Sequence, residues 1–223
     1  MRSRRIFVLS LILSFLAAVS VARQTYHQPP AQEYIKILED PHRIERLKPA
    51  EITQKLDLKP GYIVADIGSG SGLFTRPLAQ AVQPGGHVYA VDIDADLLKH
   101  VRETAQAAGI LNITTVLAPE ESPGLQRASI DVALICDTLH HIERRQEYLI
   151  NLGSCMKPGG RVAIIDFKDD WPRGHESLRF ELTDLDRWAA AAGYTKIAEF
   201  DTIPGNFFRI YMIVHRSSAA GAE

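Results

Sequence analysis

Ile63-Val64-Ala65-Asp66-Ile67-Gly68-Ser69-Gly70-Ser71-Gly72 is the stretch that decides the fold. An apolar run carrying one acid closes in glycines at alternate positions, which reads as a buried strand entering a tight turn. Leu73 to Val82 continues at helical spacing, so the turn opens a helix. Glycine reaches positive φ and lets the backbone approach a ligand with no Cβ in the way. A helix N-terminus beyond such a turn presents free N–H groups and positive potential. Strand, turn and helix together make a cradle for the anionic or polar part of a nucleotide-like ligand.

The spacing narrows the ligand. A dinucleotide fingerprint needs Gly-x-Gly-x-x-Gly or Ala, and the last of those positions is Leu73 here. A phosphate-binding P-loop needs Lys and then Ser or Thr after its last glycine, whereas Leu73 and Phe74 follow Gly72. Asp66-x-Gly68-x-Gly70-x-Gly72 instead resembles the first motif of the class I S-adenosylmethionine-dependent methyltransferases. Val88-Tyr89-Ala90-Val91-Asp92-Ile93-Asp94 is a second strand ending in an acid, and Asp92 follows Gly72 by 20 residues. A carboxylate at that offset accepts from the two hydroxyls of a ribose. Met156-Lys157-Pro158-Gly159-Gly160, followed by Arg161 to Asp166, resembles the family's late Pro-Gly-Gly turn and fifth strand. The resemblance covers Pro49 to His215 and looks closest to the small-molecule, quinone-biosynthesis-like branch.

Around this centre, strands and helices alternate. Helices are expected over Ala95 to Ala108, Glu143 to Met156 and Thr183 to Ala192. Strands are expected over Ile113 to Leu117, Ile130 to Cys136, Thr195 to Phe200 and Phe207 to Val214. Such alternation specifies an α/β, doubly wound, mostly parallel seven-stranded sheet with helices on both faces and the last strand antiparallel. This is the Rossmann-like methyltransferase fold, and the resemblance places the last strand between the fifth and sixth. Pro49 to Leu56 reads as a helix, with shorter ones over Glu33 to Leu38 and Ile44 to Leu47. In the family such helices cover the cofactor.

Composition bounds the function. The chain has 223 residues, 46% hydrophobic and 23% charged, as an ordinary globular domain does. A net charge of −2 gives no basic footprint for nucleic acid. Residues 1–22 read as a secretory signal peptide or N-terminal anchor: Arg2, Arg4 and Arg5 precede an apolar run, Ile6 to Val19, that is short for a membrane span. The expected location is therefore exported or membrane-anchored, with membrane contact only through that segment. Without it 22 basic residues face 27 acidic ones, a net charge of −5. The domain plan is this leader, a linker with short helices over 23–48, the methyltransferase domain over 49–216 and a disordered tail over 217–223. Cys136 and Cys155 are expected as buried free thiols.

The resemblance implies S-adenosylmethionine as cofactor, held by Asp66, Gly68, Ser69, Gly70, Gly72, Asp92, Ile93 and Asp137. Glu120 or Glu121 would meet the adenine amino group. In open parallel sheets ligands sit outside the carboxyl ends of the strands, where strand order reverses. Asp137 to His141 follows the fourth strand and so lies beside the reacting methyl. Attack on a sulfonium methyl is an in-line displacement that asks the protein for proximity and alignment. A base is needed only for a protonated nucleophile. Asp137, His140, His141 and Asp166 are candidates, with His140 or His141 preferred by unperturbed pKa. No metal site is expected, since no ligand spacing links His140 and His141 to the distant His175. Trp171, His175 and Phe180 would line a pocket for a small aromatic or quinone-like acceptor. Two other functions fit less well. A nicotinamide-dependent dehydrogenase is opposed by Leu73 and by the lack of a Tyr-x-x-x-Lys pair. A non-catalytic nucleotide-binding protein of the same fold remains.

Overall fold

The computed structural model describes residues 29–169 and 171–214. The leader lies outside them, as does the tail. Three short helices come first, α1 (Ala31–Leu38), α2 (Pro41–Leu47) and α3 (Pro49–Lys55). The alternating core follows as β1 (Ile63–Ile67), α4 (Thr75–Ala81), β2 (His87–Asp92), α5 (Ala95–Ala107), β3 (Ile113–Leu117) and β4 (Ile130–Cys136). A 3-10 turn over Leu139–His141 leads to α6 (Arg145–Cys155), β5 (Met156–Phe167), α7 (Leu182–Ala191), β6 (Tyr194–Phe200) and β7 (Asn206–Ile213).

The strands form one sheet in the order β3-β2-β1-β4-β5-β7-β6. β1 to β5 run parallel, and β7 is antiparallel to both its neighbours. The expected fold and the place of the last strand are both borne out. Strand order reverses between β1 and β4, so a crevice opens where these two strands end.

Side-chain alternation builds the core on both faces. On β4, Ala133 and Ile135 pack with Leu149 and Leu152 of α6 and Leu185 of α7. Val132, Leu134 and Cys136 point the other way, among Ile52 of α3 and Leu78 of α4. A strand buried on both faces needs a near-continuous apolar sequence, and Ile130–Cys136 supplies one. Leu97, Leu98, Val101 and Ala105 form the buried stripe of α5. Cys136 and Cys155 are buried and free. Among the described residues no helix is long and apolar enough to cross a membrane.

Several boundaries differ from the sequence reading, each for a local reason. α4 begins at Thr75 rather than Leu73, because Gly72 is left-handed at φ 79° and the turn runs through it. α2 begins at Pro41 rather than Ile44, because Asp40 caps it by accepting from the amides of His42 and Arg43. β5 reaches back to Met156, with its register broken between Ile130 and Val132 of β4.

Candidate functional site

The glycine turn is held from behind and from the side. Asp66 is buried near the end of β1, and its carboxylate accepts from the Thr75 hydroxyl at 2.5 Å. Strand and helix are thereby tied across the turn. Burial raises the Asp66 pKa to about 7 against the Thr75 hydrogen bond, with the nearby Asp92 charge pushing the same way as burial. Gly68 and Ser69 donate their amides to the Val91 carbonyl, at 2.8 and 3.0 Å. Gly70 donates to the Asp92 carboxylate at 2.8 Å, and Gly72 to the Ser69 carbonyl at 2.8 Å. These amides are engaged within the protein, so they do not form the anion cradle that the sequence suggests. The turn shapes a cleft rather than gripping phosphate.

The cleft has a volume of about 420 Å³, inside the range of small-molecule sites. Gly68, Gly70, Asp92, Ile93, Glu120 and His141 all line it. Ile93 is 58% exposed there, an apolar face with little protein against it. Asp66 and Ser69 are buried outside the lining, and Gly72 packs instead toward Val101 and Arg76. Asp137 stands apart from the cleft. Its carboxylate is clamped by Arg43 at 3.0 Å and Arg46 at 3.5 Å, and accepts from the Asn206 amide at 3.1 Å. Burial raises its pKa, and Arg43 opposes that most strongly.

Helix α1 roofs the site. Tyr34 and Leu38 line the cleft and also a second cavity of about 550 Å³. A Cβ on Gly70 would sit 2.9 Å from the Leu38 side chain, so the roof rests on the turn. Asp137, Phe167 and His175 border the second cavity. Of the three residues expected around an acceptor, His175 reaches it. Trp171 and Phe180 instead join an aromatic chain running from Phe167 to Trp188.

The 3-10 turn after β4 carries the two histidines. His140 is buried, its Nδ1 2.7 Å from Asp166 Oδ1 and its amide donating to Asp166 Oδ2. The Asp166 carboxylate makes Nδ1 the protonated nitrogen and leaves Nε2 as the lone-pair nitrogen. Nε2 has no hydrogen-bond partner. His141 is pushed down to about 3 by burial and by the neighbouring His140, His175 and Arg145. So low a value makes it a weak proton acceptor toward any hydroxyl. His175, distant in sequence, closes the group: His140, His141 and His175 offer nitrogens that all lie within 4.8 Å of one another.

A methyltransferase-domain family model matches residues 65–162, from β1 into β5. Over that stretch the chain is similar to class I S-adenosylmethionine-dependent methyltransferases. Among its relatives is a ubiquinone/menaquinone biosynthesis C-methyltransferase of Ralstonia pickettii, 30% identical over 51% of this chain and 46% of that protein. The chain spans about half the length of the curated relatives it matches. A solved S-adenosylmethionine-dependent methyltransferase from Aquifex aeolicus is 25% identical, with a TM-score of 0.75 over 84% of this chain and 100% of that one. The fold is shared with the Burkholderia thailandensis 1,6-didemethyltoxoflavin-N1-methyltransferase, solved with 1,6-didemethyltoxoflavin and S-adenosylhomocysteine. That protein is 20% identical, with a TM-score of 0.59 over 85% of this chain and 93% of that one.

The residues present fit S-adenosylmethionine as cofactor. S-adenosylmethionine carries a ribose and an adenine but no phosphate, which suits a turn whose amides are engaged. Asp92 keeps acceptor capacity for a diol, and exposed Ile93 offers a flat apolar surface for a base. Sequence spacing missed Thr75, and the expected cover by the helix over Glu33 to Leu38 did not single out Tyr34 and Leu38. The hydroxyl three residues past the last glycine was the available signal for Thr75. Nothing local marks the other two as roof residues.

Proposed function

We propose that this chain transfers a methyl group from S-adenosylmethionine to a small aromatic or quinone-like acceptor. The observation that carries the reading is the pair of cavities sharing the Tyr34 and Leu38 wall. One is fitted by Asp92, Ile93 and Glu120 to an adenosyl group. The other is bordered by the Phe167 ring and by Asp137 and His175. Two similar proteins support a small acceptor, one a ubiquinone/menaquinone biosynthesis C-methyltransferase and the other a 1,6-didemethyltoxoflavin-N1-methyltransferase.

The cofactor supplies the electrophilic methyl and its leaving group. The protein's part is alignment. Asp92 holds the ribose end, Glu120 stands at the adenine end, and α1 closes water out above Gly70. His141 stays neutral at working pH and accepts a hydrogen bond without taking a full charge. The amino-terminal leader, outside the described residues, is proposed to direct export or membrane anchoring. Intact mass of the chain from its native host, beginning near Arg23, is the expected result.

Calorimetric titration with S-adenosylhomocysteine and with NAD tests the cofactor. The expected result is saturable binding of the first and none of the second. Turnover on a panel of phenols, quinols and aromatic amines then tests catalysis. Binding of NAD alone would sink the proposal. Cofactor binding without turnover on any acceptor would favour the non-catalytic alternative.

A further inference from the structure

We propose that His140, His141 and His175 bind one first-row divalent cation, zinc in preference, with an open coordination position toward the acceptor cavity. The histidines come from two segments, the 3-10 turn after β4 and the loop after β5. Their ring centroids lie 4.0, 5.2 and 5.3 Å apart. The nitrogens they offer fall within 4.8 Å of one another. A tetrahedral zinc site with bonds of ~2.0–2.1 Å brings its nitrogens to about 3.4 Å. Small side-chain rotations close that gap, and they fall on His141 and His175, which are only partly buried. His140 needs no such freedom because Asp166 already fixes it.

The arrangement around His140 is the strongest sign. Its Nδ1 is held by a fully buried carboxylate, and that carboxylate is itself fixed by the amides of His140 and Phe167. A ligating imidazole characteristically donates its other nitrogen to a carboxylate, which sets the tautomer and strengthens the ligand. Nε2, the ligating atom, is buried with no hydrogen-bond partner. A buried polar atom left so is uncommon and calls for a cause. The Phe167 and Trp171 rings close around His140 and restrict solvent. One nearby charge works against a cation, the Arg145 guanidinium. It is shared among the carbonyls of Leu139, His140 and Leu178.

Three imidazoles suit zinc, copper or nickel and not magnesium or calcium, which take oxygen ligands. Three protein ligands also leave a fourth position open, as catalytic rather than structural zinc sites do. His175 borders the acceptor cavity and His141 the cofactor cleft, so the ion would sit in the wall between them. An acceptor hydroxyl bound there would lose its proton to solvent and present an oxyanion to the methyl. That role rests on the methyltransferase reading, whereas the metal site does not.

The test uses the full chain without an affinity tag, stripped with chelator and titrated with zinc chloride. One equivalent should bind, and His141→Ala and His175→Ala should each weaken it at least a hundredfold with circular dichroism unchanged. Asp166→Asn should weaken it about 10–100-fold. Cobalt should give visible absorption of a four-coordinate site, and catechol should shift that band. Absence of saturable binding by the wild type, or undiminished binding in both histidine variants, overturns the site. A cobalt band that catechol leaves unmoved overturns the open position. S-adenosylhomocysteine titrated into the same metal-free sample reports separately on the cofactor reading.

Discussion

The Asp92 carboxylate accepts the Gly70 amide at 2.8 Å, joining the end of β2 to the turn after β1. One side chain therefore shapes the turn and faces the cleft at once. Its second oxygen accepts from the Asp94 amide at 3.0 Å, which fixes the plane of the carboxylate. A diol arriving at Asp92 meets an acceptor already oriented.

Asp92→Ala removes both the acceptor and the clamp on Gly70. Hydrogen bonds to a charged group are worth ~1.5–3 kcal/mol each. Affinity for S-adenosylhomocysteine should fall at least tenfold by calorimetry. A loss under twofold would leave Asp92 as a strand-end acid with no part in binding.

Gly61 and Gly68 separate backbone strain from collision. Both are left-handed, at φ 85° and 67°. A Cβ on Gly61 meets nothing within 4 Å, whereas one on Gly68 lands on the Thr138 side chain. Gly61→Ala should cost only the strain of a left-handed residue, ~1–2 kcal/mol. Gly68→Ala should cost that plus an overpacking penalty of ~1–3 kcal/mol. Adding Thr138→Ala should recover part of the second figure and none of the first. Equal costs measured by urea unfolding would refute the distinction.

Asp66 should leave a mark on stability against pH. Its folded pKa of about 7 lies above the ordinary carboxylate value of 3.8. The folded state therefore holds a proton that the unfolded chain has lost. Its contribution is fully present below the unfolded value and disappears as pH rises through about 7. Asp66→Asn cannot titrate, so the variant should gain on the wild type as pH rises from 3.8 to about 7. A stability difference independent of pH would show that Asp66 is not perturbed.

His141 should contribute no acid limb near ~6.5, the unperturbed histidine value. Burial and its cationic or imidazole neighbours keep it neutral down to about pH 3. His141→Gln should lower kcat through misplaced acceptor and leave any limb near neutrality where it was. A limb that vanishes in this variant alone would return His141 to the role of general base.

What the sequence made legible was whatever depends on neighbours in the chain. Ile63 to Gly72 announced a strand and turn, the alternation of elements announced a doubly wound sheet, and the family resemblance placed its last strand. The side chains lining the cleft were legible as far as Gly68, Gly70, Asp92, Ile93 and Glu120 sit at strand ends. The engaged amides were not, because their acceptors, Val91 and Asp92, belong to another strand. His175 joins His140 and His141 only through the path of the loop after β5, which no period encodes. The partners of Asp137 were illegible for the same reason. Its position beside the methyl follows from β4, but its partners lie in α2.

Those partners support the last prediction. Arg43 and Arg46 reach from α2 to Asp137, which lies at the end of β4 with a side chain only 7% exposed. Arg43 also donates to the Leu38 carbonyl at 3.0 Å, so the same guanidinium fixes the end of α1 above the glycine turn. This makes the roof of the cleft depend on one buried ion pair. Breaking a buried pair from one side leaves an uncompensated charge and costs ~3–5 kcal/mol. Arg43→Ala leaves the buried Asp137 carboxylate with Arg46 and Asn206 alone. Asp137→Asn frees two arginines that stand closer to solvent, so it should be the milder change. Both should loosen α1 and speed dissociation of S-adenosylhomocysteine, with a smaller effect on association. The double variant should be less destabilised than the sum of the singles, because the second change removes a charge the first left less well compensated. Stopped-flow dissociation rates and urea unfolding of the three variants measure both claims. Unchanged dissociation alongside lowered stability would mean that the ion pair holds the fold together without gating the cleft.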